Sequence, residues 1–274
     1  MTLNLWNDRA DPTRRLEVVA EDLRALEPDV VALQEVREGP FLAQATTLGK
    51  LLGMQMAFGP VDAQSSGGPV GNAVLSRYPI AGAQNHTLPS SPQDPRCALD
   101  VKLKTPAGVV RVVCTHLSWE PHAALRREQQ VLAIDELCQG PDDDHVLVCG
   151  DFNTAPAAAA IRFMTGCDSL AGRGTFYRDA WARKHPASTE GFTYSSENPR
   201  AVRWIRAEPA HRLRLRPWPR ALAGRARHPR RPRGARQPSG GRHLAFGSLR
   251  RAGRGAADAV PGADAPVVFP SLDR

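Results

Sequence analysis

Four short runs of this sequence carry polar residues that could do chemistry. In GDFNTAP, residues 150–156, an apolar run through Val146, Leu147 and Val148 stops at Gly150, and Asp151 and Asn153 follow. Residues two apart in an extended chain point to the same side. A carboxylate beside an amide suits a hard cation, an oriented water or a phosphoryl oxygen. Asp, Asn and Gly are also common turn residues, so this motif alone reads equally well as a turn. Glu35 ends the apolar run DVVALQEV, His116 ends another in THLSW, and Asn4 stands in TLNLWN. Each alone has a plain reading: a solvated strand end, a structural histidine, a polar edge residue. The conjunction is more specific, because open sheets place ligand sites beyond the carboxyl ends of their strands.

The elements that would position these residues can be read from periodicity. TLNLWN alternates apolar Leu3 and Leu5 with Asn4 and predicts a short strand. Asp11-Pro12 predicts a helix start, with an apolar stripe at Leu16, Val19, Leu23 and Leu26 and a stop at Pro28. DVVALQEV predicts a buried strand with Glu35 at its C-terminal end. GNAVLSRYPI predicts another strand followed by a Pro-containing loop, and ALDVKL, Val109–Leu117 and HVLVCG three more. Residues 122–138 predict a helix, with Gly140 past its end. Apolar strands alternating with helices indicate an α/β or mixed α+β class. No internal repeat is visible.

Taken in order, TLNLWN, DVVALQEV, GNAVLSRYPI, THLSW and GDFNTAP resemble the endonuclease/exonuclease/phosphatase superfamily, over roughly residues 1–205. The resemblance implies a four-layer sandwich: two packed mixed β-sheets flanked by helices. It implies hydrolysis of a phosphoester with Mg²⁺ or Mn²⁺ as cofactor. Carried onto this chain, Glu35 would be the main metal ligand, with Asn4 an adjacent metal or phosphate contact. Asp151 would serve the metal site and orient or deprotonate the attacking water. Asn153 would contact the transition state, and His116 would protonate or stabilise the phosphoryl group or leaving oxygen. Attack on a phosphate builds charge on oxygen, which a divalent ion and a donor histidine can stabilise. The substrate stays open among nucleic acid, inositol or sugar phosphates and phospholipid headgroups.

Composition narrows the rest. The 274 residues suffice for one large core. No stretch approaches a membrane span and no signal peptide is visible. Met1 begins almost inside a strand-like segment, so further native residues are expected upstream. Five cysteines with no CxxC, three of them in apolar runs, read as buried thiols of a reducing compartment, and the expected location is cytoplasmic. Absence of G-x-S-x-G and of a Walker A loop disfavours a serine hydrolase and a P-loop enzyme.

The net charge of +8 is uneven. Residues 211–274 hold 15 Arg, no Lys, three Asp and no Glu, a balance of +12, which leaves −4 for residues 1–210. The acidic balance of that part favours small or lipid-like phosphoesters over a groove for duplex DNA. Arg77, Arg96, Arg126 and Arg127 read as ordinary surface charges, with a local phosphate path as the alternative.

The resemblance also implies a later D-Y strand and a terminal S-D-H, and neither occurs before Arg274. HRLRLRPW, residues 211–218, can be spelled CAT CGA CTA CGT CTT CGT CCG TGG. Moved forward by one nucleotide, that string encodes Ile-Asp-Tyr-Val-Phe-Val-Arg. Residues 242–253, RHLAFGSLRRAG, spelled suitably and moved by the same offset, encode Gly-Ile-Trp-Pro-Ser-Asp-His-Phe-Gly-Val-Leu. The expected organisation is therefore a C-terminally incomplete domain over 1–210, then an out-of-frame, disordered Arg/Pro/Gly-rich tail over 211–274. Such a chain would be impaired. The alternative is a non-catalytic protein that binds nucleic acid or another polyanion through its basic tail.

Overall fold

The computed structural model describes residues 1–6, 12–40, 42–62, 67–139, 145–185, 193 and 243–245. The cap expected at Asp11, the stop at Gly140 and, apart from residues 243–245, the expectations for the tail lie outside these residues.

Among the described residues one sheet has four strands, β1 (Thr2–Asn4), β2 (Val30–Arg37), β3 (Gln55–Asp62) and β4 (Val70–Ser76), in the order β1-β2-β4-β3. β1 runs parallel to β2, and β4 lies antiparallel between β2 and β3. The second sheet holds β5 (Ile80–Thr87), β6 (Cys97–Thr105), β7 (Gly108–His116), β8 (His145–Asp151), β9 (Arg178–Asp179) and β10 (His243–Ala245) in the order β5-β6-β7-β8-β10-β9. Its first three strands pair antiparallel; β8 runs parallel to β7, and β10 parallel to β8 and β9.

Three apolar clusters stack these layers. Leu16, Ala20 and Leu23 of α1 (Pro12–Leu26) and Leu48 of α2 (Gln44–Leu52) pack on Val31, Leu33 and Leu75 of the first sheet. Val30, Ala32 and Val74 meet Leu99, Val101, Val112 and Cys149 between the sheets. Val131 and Ile134 of α3 (Ala124–Leu137), with Ile161 and Phe163 of α4 (Ala159–Met164), cover Val113, Val146 and Val148 on the far side. The four-layer sandwich is therefore the observed fold, and β2 is apolar from Val30 to Leu33 because both of its faces are buried there.

α1 follows the expected stripe through Leu16 and Leu23, while Leu26 is 37% exposed at its end. α2, β3 and the edge strand β5 are additions to the expected elements, as are α4, β9, α5 (Ala180–Lys184) and β10. The Pro-containing loop is residues 77–79, and β5 follows it; its sequence IAGAQNHT is mostly exposed and has no apolar alternation to betray it. Four cysteines are buried as free thiols and Cys167 is exposed. No helix of the described residues is long and apolar enough to cross a membrane.

Candidate active site

The carboxyl ends of β1 in one sheet and of β7 and β8 in the other meet where the register of β2 slips. In β2 the register with β4 slips between Leu33 and Val36, so Gln34 and Glu35 stand opposite the single residue Asn72. Glu35 takes a φ of +54°, a conformation that non-glycine residues seldom adopt. A bulge of this kind re-aims a side chain. It is pinned on both sides: Gln34 accepts from the Thr2 hydroxyl at 3.2 Å, and the Arg37 N–H donates to Gln44 at 2.8 Å. Glu38 then caps α2 through the N–H groups of Ala45 and Thr46. Glu35 thus lies inside β2, two residues before its end, rather than at the terminus the sequence suggested.

β8 places Asp151 beside His116, the last residue of β7 and its register partner. Gly150 makes this approach possible. Its φ is +152°, and a Cβ there would lie 1.9 Å from the Thr115 carbonyl oxygen. Asn4 closes the arrangement from the other sheet. Its amide nitrogen donates to Glu35 at 2.9 Å and to Asp151 at 3.1 Å, while its own oxygen accepts from the Trp6 N–H at 2.8 Å. His116 Nε2 stands 3.9 Å from Asp151 Oδ2.

Asn153 is placed differently from the extended geometry read in the sequence. It turns into the left-handed region at φ +46°. Its N–H donates to Asp151 Oδ1 at 3.0 Å, and its side chain donates to the Leu117 carbonyl at 2.8 Å. It therefore braces both Asp151 and the segment after His116. α3 holds the same segment further on. Arg127 donates to the carbonyls of Ser118 and Glu120 at 2.9 and 2.8 Å, and Gln130 accepts from the Ser118 N–H at 3.0 Å.

Burial sets the charge states. It raises the Asp151 carboxyl above its usual range; the Asn4 hydrogen bond, the Asn153 N–H and the charge of Arg96 oppose it. Burial, with Arg96 adding to it, lowers His116 well below the usual histidine value. At neutral pH His116 is thus an uncharged imidazole that can offer one N–H, and its contact with Asp151 is no ion pair.

A small open cleft lies here, lined by Glu35, Asn72, Arg96 and His116 together with Val61, Val70, Gly71 and Pro95. Sequence reasoning missed Asn72 and gave Arg96 a place on a phosphate path only as the alternative to an ordinary surface charge. Asn72 had one faint signal, a lone amide in the apolar run GNAVLS. Of the four arginines read as surface charges, Arg77 donates to the Pro28 carbonyl at 3.2 Å and Arg126 pairs with Glu120 at 2.6 Å. Arg127 is buried as a brace, and Arg96 enters the cleft.

This fold agrees with comparisons to other proteins. The chain is 29% identical over 187 residues to the uncharacterized protein YbhP of Escherichia coli strain K12, covering 62% of this chain and 73% of that protein. Among solved structures it superposes on D. rerio TDP2 complexed with a single-strand DNA product with a TM-score of 0.57 and 19% identity, covering 72% of this chain and 73% of that one. An endonuclease/exonuclease/phosphatase from Bacteroides vulgatus gives 0.51 and 21%, covering 65% and 72%. These likenesses support the fold. Asn4, Glu35, His116 and Asp151 form one cluster of contacts, the sequence pattern of the Endonuclease/Exonuclease/phosphatase family matches residues 1–243, and this chain belongs to that family.

Proposed function

We propose that this chain is built as a divalent-metal-dependent phosphoesterase centred on Glu35, Asp151 and His116, and that its C-terminal tail leaves it impaired. The observation that carries the reading is Asn4. One amide bridges two carboxylates that are far apart in sequence and lie on different sheets, with an uncharged histidine 3.9 Å from one of them.

The donor set fits a hard cation. Glu35 and Asp151 present oxygen ligands around one amide, and Mg²⁺ is commonly held by one or two carboxylates while keeping its waters. Among the described residues no three His, Cys, Asp or Glu side chains gather into a group that could hold a metal ion, so the two carboxylates would be its protein ligands. Glu35 and Asp151 would hold the ion, with Asn4 fixing their spacing. Bound there, it would supply Lewis-acid stabilisation of charge on the phosphoryl oxygens. Asp151, its pKa raised by burial, is suited to accept a proton from an attacking water. His116 donates one N–H toward a phosphoryl or leaving oxygen, as a neutral donor. Asn153 acts by holding Asp151 and Leu117 in place.

The out-of-frame reading of residues 211–274 accounts for an arginine-rich composition in place of the D-Y and S-D-H segments. Losing groups that act as a unit costs orders of magnitude in rate. The deciding experiment is hydrolysis of bis(p-nitrophenyl) phosphate with Mg²⁺ or Mn²⁺ by three proteins: the chain as it stands, a version whose gene is corrected by one nucleotide near codon 210, and the corrected version carrying Glu35→Gln or Asp151→Asn. The corrected version should be active and silenced by chelator, each substitution should cost about 10²–10⁴-fold, and the original chain should be weak. An original chain as active as the corrected one would overturn the impairment. A corrected chain whose activity ignores both substitutions would overturn the site.

A further inference from the structure

Arg96 is the cation of the cleft. It lies in the segment between β5 and β6 and shares the cleft wall with Glu35 and His116. Its side chain is only 11% exposed, and it pairs with Asp94, whose side chain is 6% exposed. Burying such a pair is costly unless its hydrogen-bonding capacity is used. Here it is only partly used. Among the described residues Arg96 Nε and Asp94 Oδ2 are buried without a hydrogen-bond partner. A guanidinium has five donors in a planar fork that matches the paired oxygens of a phosphate.

The position is fixed by its surroundings. The Arg96 carbonyl accepts from the Leu88 N–H at 2.9 Å, and the carbonyl of the next residue, Cys97, accepts from the buried Asn72 amide at 3.1 Å. Pro95 restricts the backbone just before it. The charge of Arg96 is felt at both His116 and Asp151, as expected of a group facing the same small volume.

We propose that Arg96 is the substrate-binding residue of this centre, its guanidinium holding non-bridging oxygens of the phosphoryl group, with Asp94 the positioning residue that keeps it turned into the cleft. The inference rests on the phosphoesterase reading for the identity of the anion. It also explains why a loop arginine is buried. Asp94 takes one edge of the fork and leaves donors for a ligand.

The test measures inorganic phosphate binding to the full chain by calorimetry, in Mg²⁺ and about 150 mM salt, where surface attraction is screened within a short Debye length. Wild type, Arg96→Met and Arg96→Lys are compared. The arginine-rich tail is common to all three, so only differences between them are read. Arg96→Met should weaken phosphate binding by about tenfold or more. Arg96→Lys, which keeps the charge but loses the fork, should recover part of that loss. Thermal unfolding of each variant separates a folding defect from a binding one, and a folded Lys variant that binds phosphate as tightly as wild type counts against the fork. Equal affinity for wild type and a folded Arg96→Met overturns the proposal. Phosphate binding that depends on Arg96 in a chain whose corrected version never hydrolyses phosphoesters would sink the reaction assigned above and leave this inference standing.

Discussion

Asn153 shows how much one residue can be asked to do. Its φ of +46° is a left-handed conformation that asparagine tolerates better than most side chains, and its amide anchors the Leu117 carbonyl at 2.8 Å. Two costs can therefore be separated by substitution. Asn153→Ala loses the anchor, worth about 1 kcal/mol, and also places a Cβ-bearing residue with no local hydrogen bond in a strained conformation, worth about 1 kcal/mol more. Asn153→Gly loses the anchor but relaxes the strain. The alanine variant should be the less stable, by about 1 kcal/mol, in urea unfolding with unchanged m-values. A glycine variant as unstable as the alanine one would show that the turn is not where the energy lies. Glu35 is the other non-glycine site residue at positive φ, and it has no side-chain type that favours it there. Its conformation is held by the surrounding bonds of Thr2, Gln44 and Glu38 rather than by its own preference.

At the scale of elements, β9 and α5 are joined by Asp179, which ends the strand and caps the helix by accepting from the Ala182 N–H at 2.9 Å. Burial pushes its carboxyl from 3.8 up to about 6, and the cap hydrogen bonds only partly offset this. The folded state therefore holds the proton more tightly than the unfolded one. The stabilisation from Asp179 is fully present below 3.8 and is lost as pH rises through about 6. Asp179→Asn keeps an N-cap acceptor and removes the charge. Its stability relative to wild type should thus increase between pH 4 and pH 7, read as the difference in urea midpoints. A difference that stays flat across that window would refute the burial of this carboxylate. The same scale explains what could be read from sequence. β2, β7 and β8 were visible as apolar runs because both faces of each sheet are covered, and α1 announced itself by its stripe and Pro28. α2 is short and β5 is an exposed edge, so neither has a strong periodicity. Asn4, His116 and Asp151 could be named because each ends a strand, where sheets expose side chains, whereas Glu35 stands two residues inside β2. The bulge that aims Glu35, and the burial of Arg96 on Asp94, depend on partners distant in the fold and leave no local pattern.

Over the whole molecule, charge divides the chain into unlike parts. Residues 1–210 balance at −4, and residues 211–274 at +12 with no lysine among the cations. A cationic segment of that density neutralises phosphates and releases counterions whatever its origin, so the chain should bind single-stranded DNA with a steep loss of affinity as salt rises. The two functional readings diverge on what this binding depends upon. If the tail is out-of-frame translation, the affinity is unselected. It should be insensitive to DNA sequence, unchanged by Glu35→Gln, and sharply reduced in the version corrected near codon 210, which gains metal-dependent hydrolysis instead. If the tail is the working part of a nucleic-acid-binding protein, one DNA or RNA sequence should be preferred and should stay bound at salt that strips the others, because base contacts discriminate while phosphate contacts alone do not. Filter binding of the original and corrected chains across a salt series, with mixed and homopolymer strands, separates these outcomes. Resequencing the gene around codon 210 gives the independent check, since a gained or lost nucleotide there would make the basic tail an accident and the cleft the part of this chain that evolution shaped.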